Sequence, residues 1–168
     1  PRLIHASSSE IFRNPDESPQ TEETATAPVN PYGCAKAFAT QMVRIYRQSF
    51  GLFACNGILY NHESPRRGED FVTRKICRAA AAIRLGRQKE VALGDTSSRR
   101  DWGHAKDYVR GMWMALQHTA PEDFIFATGE LHSVQDVVEI AFGTMNLDWK
   151  AHVKRDEQLI RPMESKAR

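Results

Sequence analysis

The stretch Asn30-Pro31-Tyr32-Gly33-Cys34-Ala35-Lys36 sets a phenol and an ammonium four positions apart, directly after an asparagine-proline pair of the kind that opens a helix. Four residues are a little over one helical turn, so Tyr32 and Lys36 lie one above the other on a single face and can converge on one bound group. A lysine beside a phenol favours the phenolate by charge proximity, which makes the pair a general base. The same spacing is common in solvated surface pairs, so chemistry requires further groups. Two polar stretches supply them: Ser7-Ser8-Ser9-Glu10, with hydroxyls and a carboxylate, and Asn61-His62-Glu63-Ser64-Pro65-Arg66-Arg67-Gly68, with an imidazole and two guanidinium groups.

The elements that must position these residues follow from the hydrophobic pattern. Residues 3–6 read as the end of a buried strand, and the serine run as a polar turn at its carboxyl end. Residues 13–30 are rich in Pro, Glu and Thr and predict a loop. Residues 31–50 predict a helix with Phe38, Met42, Ile45 and Tyr46 as an apolar stripe and Gly51 as its stop. Then come a strand over 53–60, a polar loop over 61–71, a helix over 72–85 ended by Gly86, and a short strand over 90–94. A turn over 95–104 leads into a helix over 105–119, with Val109, Trp113 and Leu116 expected as its core stripe. A strand over 123–129 precedes a helix opened by Ser133, with Asp136 three residues later as in a capping box. Alternating strands and helices predict an α/β fold with a largely parallel sheet, and such sheets bind ligands beyond the carboxyl ends of their strands. That rule puts the serine-glutamate turn, the Asn61–Gly68 loop and Tyr32 on one rim.

Composition narrows the function classes. A chain of 168 residues fits one domain with a sizeable core, and a formal net charge of +2, with 26% charged residues of mixed sign, gives no reason to expect nucleic acid or a membrane surface as partner. The three cysteines, Cys34, Cys55 and Cys77, are far apart and unpaired in spacing, which predicts a reducing compartment and no metal site. No apolar run is long enough to span a bilayer and no signal-peptide pattern opens the chain, so a cytoplasmic location is expected. The amino terminus reads as mid-strand and the carboxyl terminus lacks a closing element, the expectation for a fragment.

Taken together, Ala6-Ser7-Ser8-Ser9-Glu10-Ile11-Phe12, the Tyr32–Lys36 segment, residues 56–76, residues 99–113 and residues 124–134 strongly resemble the GDP-mannose 4,6-dehydratases of the extended short-chain dehydrogenase/reductase family. The resemblance covers residues 5–145 and extends more loosely to 159–165. It implies the carboxyl-terminal part of a Rossmann-type doubly wound parallel sheet with a smaller substrate-binding region. It also implies a lyase that uses bound NADP as a catalyst, converting GDP-mannose to GDP-4-keto-6-deoxymannose and water. In that chemistry Tyr32 takes the proton from the sugar 4-hydroxyl, Lys36 stabilises the phenolate and holds the nicotinamide ribose, Ser8 hydrogen-bonds the 4-oxygen, and Glu10 removes the C5 proton. The resemblance further assigns His62 and Arg67, with Tyr32 and Lys36, to the cofactor, and Asn61, Lys75, Arg100, Arg161 and Glu164 to the GDP part of the substrate. By analogy a homo-oligomer, dimer or tetramer, is implied, paired through the helices over 32–50 and 106–118.

The chain departs from the family pattern in two places. Arg13 stands where the family usually has glycine, a residue that would strain the loop beside Glu10 if that position needs a positive φ. No G-x-G-x-x-G or related loop occurs in the sequence to cradle a pyrophosphate. Residues 1–168 are therefore expected to be a partial single domain, the catalytic and substrate side without the amino-terminal dinucleotide-binding half, with no turnover by itself and weak NADP affinity. Two alternatives stay open: another nucleotide-sugar epimerase or reductase of the family, against which Glu10 speaks, and a non-catalytic oligomerisation or binding fragment.

Overall fold

The computed structural model describes residues 1–12 and 17–160. Along them run β1 (Arg2–Ser8), α1 (Pro31–Phe50), β2 (Phe53–Leu59), β3 (Asn61–Glu63), α2 (Val72–Arg84), β4 (Val91–Leu93), β5 (Arg99–His104), α3 (Ala105–Gln117), β6 (Asp123–Phe126), β7 (Leu131–Ser133), α4 (Val134–Thr144), α5 (Trp149–His152) and β8 (Val153–Arg155). They gather into two compact units, one of Pro1–His62 with Asp101–Glu130, the other of Glu63–Arg100 with residues 131–160. No helix of the described residues is long and apolar enough to cross a membrane.

The first unit is built on a parallel sheet in the order β1-β2-β6. Arg2 lies opposite Phe53 and Ser8 opposite Leu59, while Asn56 lies opposite Asp123 and Leu59 opposite Phe126. Successive strand residues point to opposite faces, and β2 shows which helix covers which. Asn56 donates from Nδ2 to the Thr40 carbonyl of α1, whereas a side chain on Gly57 would press on Phe126, and Phe126 in turn fills the space that a side chain on Gly111 of α3 would need. So α1 lies on one face of the sheet and α3 on the other. Ile11, Phe12 and Ile58 are fully buried, with Ala37 and Ile125 packed against them.

Local chemistry fixes both ends of α1. Asn30 accepts the Gly33 amide at its amino end, Pro31 occupies the first turn, and Gly51 ends it in the left-handed region with φ 62°. Its inner face carries Gly33, Ala37, Thr40, Arg44 and Arg47. The stripe of Phe38, Ile45 and Tyr46 faces outward and is exposed. Near the carboxyl end, Arg44 donates from Nε to Asp123 Oδ2 at 2.6 Å, Arg47 donates to Asp123 Oδ1 at 2.8 Å, and Asn56 adds a third bond at 2.9 Å.

Burial alone would raise the Asp123 carboxyl, but the hydrogen bonds from Arg47, Arg44 and Asn56, with the Arg47 charge, outweigh it and hold the group below the usual carboxylate range. A lowered folded value means that this stabilisation is present above the unfolded carboxylate range, near pH 4, and is lost as pH falls through the folded value. Asp123→Asn is therefore expected to cost about 2–3 kcal/mol at pH 7. Urea melts should show the gap between variant and parent closing as the pH is taken below about 4; a gap that stays constant with pH would mean the arginines are held by other groups.

In the second unit α2 packs against α4, burying Ile76, Ala79, Ala80 and Ile83 from one helix and Val134, Val138 and Phe142 from the other. The short strands β4 and β8 pair in parallel, Val91 opposite Val153. Ser133 and Asp136 form the reciprocal capping box that opens α4, as their spacing predicts.

Three expectations are corrected. Asn61–Glu63, expected within a polar loop, is a short strand; its polar residues give no apolar alternation to mark it. The stretch 95–104 is not all turn, since Arg99–His104 is a strand; its run of charged residues gives no apolar alternation to betray it. On α3 the buried side chains are Tyr108 and Ala115, with Gly111 against Phe126, while Val109 and Trp113 are 65% and 62% exposed. Small residues face the sheet there because helix and strand approach too closely for the large ones.

Candidate active site

At the carboxyl end of β1 the chain turns through a 3-10 segment, Ser9–Ile11, capped by Ser8. Ser8 is buried, its Oγ accepting the Glu10 amide at 3.3 Å, which leaves the hydroxyl proton to donate elsewhere. Glu10 is half-buried, and its Oε2 accepts from Asn30 Nδ2 at 2.7 Å. The main chain of this turn presses on the first turn of α1, where a side chain on Gly33 would overlap the Glu10 carbonyl oxygen. That close approach is what requires glycine after Tyr32.

Lys36 reaches across from α1 to β1. Its Nζ donates to the Ala6 carbonyl at 2.6 Å and stands 5.7 Å from the centre of the Tyr32 ring. One turn further on, Thr40 donates to the Lys36 carbonyl and shares a buried hydrogen bond of 2.6 Å with Ser7. The lysine is thus held at both its backbone and its ammonium. His5 lies beside this charge; burial first and Lys36 second hold its imidazole below the ordinary range, so it stays neutral.

Among the four tyrosines only Tyr32 suits a base on α1. Tyr60 donates to Gln20, and burial followed by the Asp101 charge raises its phenol far above the ordinary range; burial, Asp101 and Tyr60 do the same to Tyr108. Both phenols stay protonated. Asp101 itself accepts the amides of Thr128 and Gly129. Tyr46 lies on the outer face of α1, whereas Tyr32, 55% exposed, sits in its first turn.

The structure brings Ser8, Glu10, Tyr32 and Lys36 together around the first turn of α1. Asn61 and His62 follow β2 in the same unit; the His62 Nδ1–H donates to the Tyr60 carbonyl at 2.8 Å, and its ring lies 5.0 Å from Tyr108. The remaining candidates belong to the second unit. Arg67 pairs with Glu63 at 3.2 Å and covers the Phe71 ring, and Lys75 donates to the Ala92 carbonyl of β4 at 2.7 Å. Arg100 donates to the Arg99 carbonyl. Arg13, Arg161 and Glu164 lie outside the described residues. No group of three or more His, Cys, Asp or Glu able to hold a metal occurs among the described residues. Asn30 and Gly33 are the site residues that spacing does not reveal: the helix-opening role of Asn30 is legible, but its partner Glu10 is twenty residues away.

A family model described as GDP-mannose 4,6 dehydratase matches residues 1–168. The chain is 48% identical over 163 residues to GDP-mannose 4,6 dehydratase 1 of Arabidopsis thaliana, covering 97% of this chain and 45% of the relative. It is 52% identical over 141 residues to the GDP-mannose 4,6 dehydratase of Homo sapiens, covering 84% of this chain and 38% of the relative. The chain thus spans less than half the length of these curated relatives. Its fold is that of RMD from Pseudomonas aeruginosa complexed with NADPH, with TM-score 0.85 at 20% identity over 91% of this chain and 53% of that one. It is also that of dTDP-glucose 4,6-dehydratase from Bacillus anthracis in complex with NAD, with TM-score 0.80 at 22% identity over 92% of this chain and 50% of that one. Matched by the family model along its whole length and sharing about half of the aligned residues with these relatives, the chain belongs to the GDP-mannose 4,6 dehydratase family.

Proposed function

We propose that the chain carries the catalytic and substrate side of a GDP-mannose 4,6-dehydratase that converts GDP-mannose to GDP-4-keto-6-deoxymannose and water. The observation that carries this reading is the meeting, at the first turn of α1, of an exposed phenol, a fixed ammonium and a carboxylate. Oxidation at C4 needs the first two. Elimination needs the third, because a proton must leave C5.

Bound NADP supplies the hydride acceptor for C4 and the hydride that C6 later receives. The residues of the first unit fit its nicotinamide end: Tyr32 is exposed and the Lys36 ammonium is held beside it, while His62 supplies a further polar group. Tyr32 takes the 4-hydroxyl proton, with the Lys36 ammonium beside it, and Ser8 donates to the 4-oxygen. The 4-ketone acidifies C5, whose proton goes to Glu10; the C6 hydroxyl departs as water, taking the proton that Tyr32 received from the 4-hydroxyl. Glu10 then returns its proton to C5. Asn61, Lys75, Arg100, Arg161 and Glu164 are assigned to the GDP moiety, where cations suit a diphosphate. The same proposal includes homo-oligomerisation, supported by the exposed Phe38, Ile45, Tyr46 and Phe50 of α1, and a cytoplasmic location, supported by three free cysteines.

The test is a chimera in which this chain replaces the matching segment of a full-length relative. Supplied with NADP and GDP-mannose, it is expected to release a 4-keto, 6-deoxy product. A product altered only at C4 would instead favour an epimerase or reductase.

A further inference from the structure

We propose that Asn30 is a positioning residue for the Glu10 carboxylate, and that it holds the acid with the same side chain that caps α1. The inference rests on the assignment of Glu10 as the C5 base. Asn30 Oδ1 accepts the Gly33 amide at 2.8 Å, and its Nδ2 donates to Glu10 Oε2 at 2.7 Å. The orientation of this amide is fixed by chemistry, since a backbone N–H can only donate and a carboxylate can only accept.

Three contacts immobilise Glu10. Ser8 Oγ accepts its amide, its carbonyl lies where Gly33 alone leaves room, and Asn30 holds one carboxylate oxygen. Oε1 has no hydrogen-bond partner among the described residues and stays available for a proton. The clamp is neutral: an arginine or lysine in its place would form an ion pair and weaken the acid as a base, whereas an amide orients the carboxylate and leaves its charge uncompensated.

Among good helix caps only asparagine offers both functions from separate atoms. Aspartate caps equally well but would set a second negative charge against Glu10. Serine caps, but would have to serve both partners from a single oxygen nearer the backbone. The direction of Glu10 is thereby tied to the first turn of α1, the turn that carries Tyr32.

The variants Asn30→Ser and Asn30→Asp keep the cap and separate positioning from folding. In the chimera both are expected to leave melting temperature and C4 oxidation near parental values, while exchange of the C5 proton with deuterated solvent falls roughly 10- to 100-fold. A readout free of turnover uses the chain itself: the 15N-labelled Asn30 side-chain amide signal should move in Glu10→Gln, as expected when its charged acceptor is replaced by a neutral one. Parental C5 exchange in both Asn30 variants, or an Asn30 amide signal unmoved by Glu10→Gln, overturns the proposal. C5 exchange that survives Glu10→Gln instead removes the base assignment, and this inference with it.

Discussion

In the chimera, Glu10→Gln is expected to halt the reaction after oxidation at C4. Tyr32, Lys36 and Ser8 are intact in this variant, and glutamine keeps an oxygen able to accept the Asn30 amide, so the turn at the end of β1 retains its shape. What is lost is the ability to take a proton. Reduced-nicotinamide absorbance should rise on adding GDP-mannose and then persist or reverse without product, and dehydration should fall by about 10² to 10⁴. C5 exchange with deuterated solvent should fall in parallel. Dehydration at the parental rate would make Glu10 an ordinary loop acid, and the family's elimination chemistry would need another base in this chain.

Tyr32→Phe acts one step earlier. The phenol is more than half exposed on the first turn, so removing its oxygen leaves packing undisturbed and any loss is a loss of chemistry. Oxidation at C4 should slow by about 10² to 10⁴, with no absorbance build-up and no C5 exchange. The contrast with Glu10→Gln is the informative part: one variant accumulates the oxidised sugar, the other never forms it. A Tyr32→Phe chimera with a parental oxidation rate would show that the tyrosine-lysine pair serves structure only.

Much of this arrangement was legible in the residue order. Asn30-Pro31 and Gly51 bracket α1 because capping and positive φ are local properties, and Ser133 with Asp136 announces α4 for the same reason. The strand at 99–104 and the inner faces of α1 and α3 were not. Their side-chain choice answers to distance from the sheet: Thr40, Gly111 and Ala115 go inward where space is short, and Phe38 and Trp113 outward. In the same way, the chemistry of Glu10 can be suspected from three serines and an acid, but its clamp is a contact across twenty residues that no local pattern encodes.

In the proposed dehydratase, the arginine pair on Asp123 would bear on catalysis through leverage. From Arg44 back to Tyr32 the helix runs about 18 Å, at roughly 1.5 Å per residue. A tilt of about 3° about that distant anchor would sweep the phenol through about 1 Å, a misplacement that can cost up to about 10²-fold in rate. In that reading the buried carboxylate, together with the Lys36 and Thr40 bonds nearer the site, sets the aim of a hydroxyl it never meets, and loosening it is expected to slow C4 oxidation.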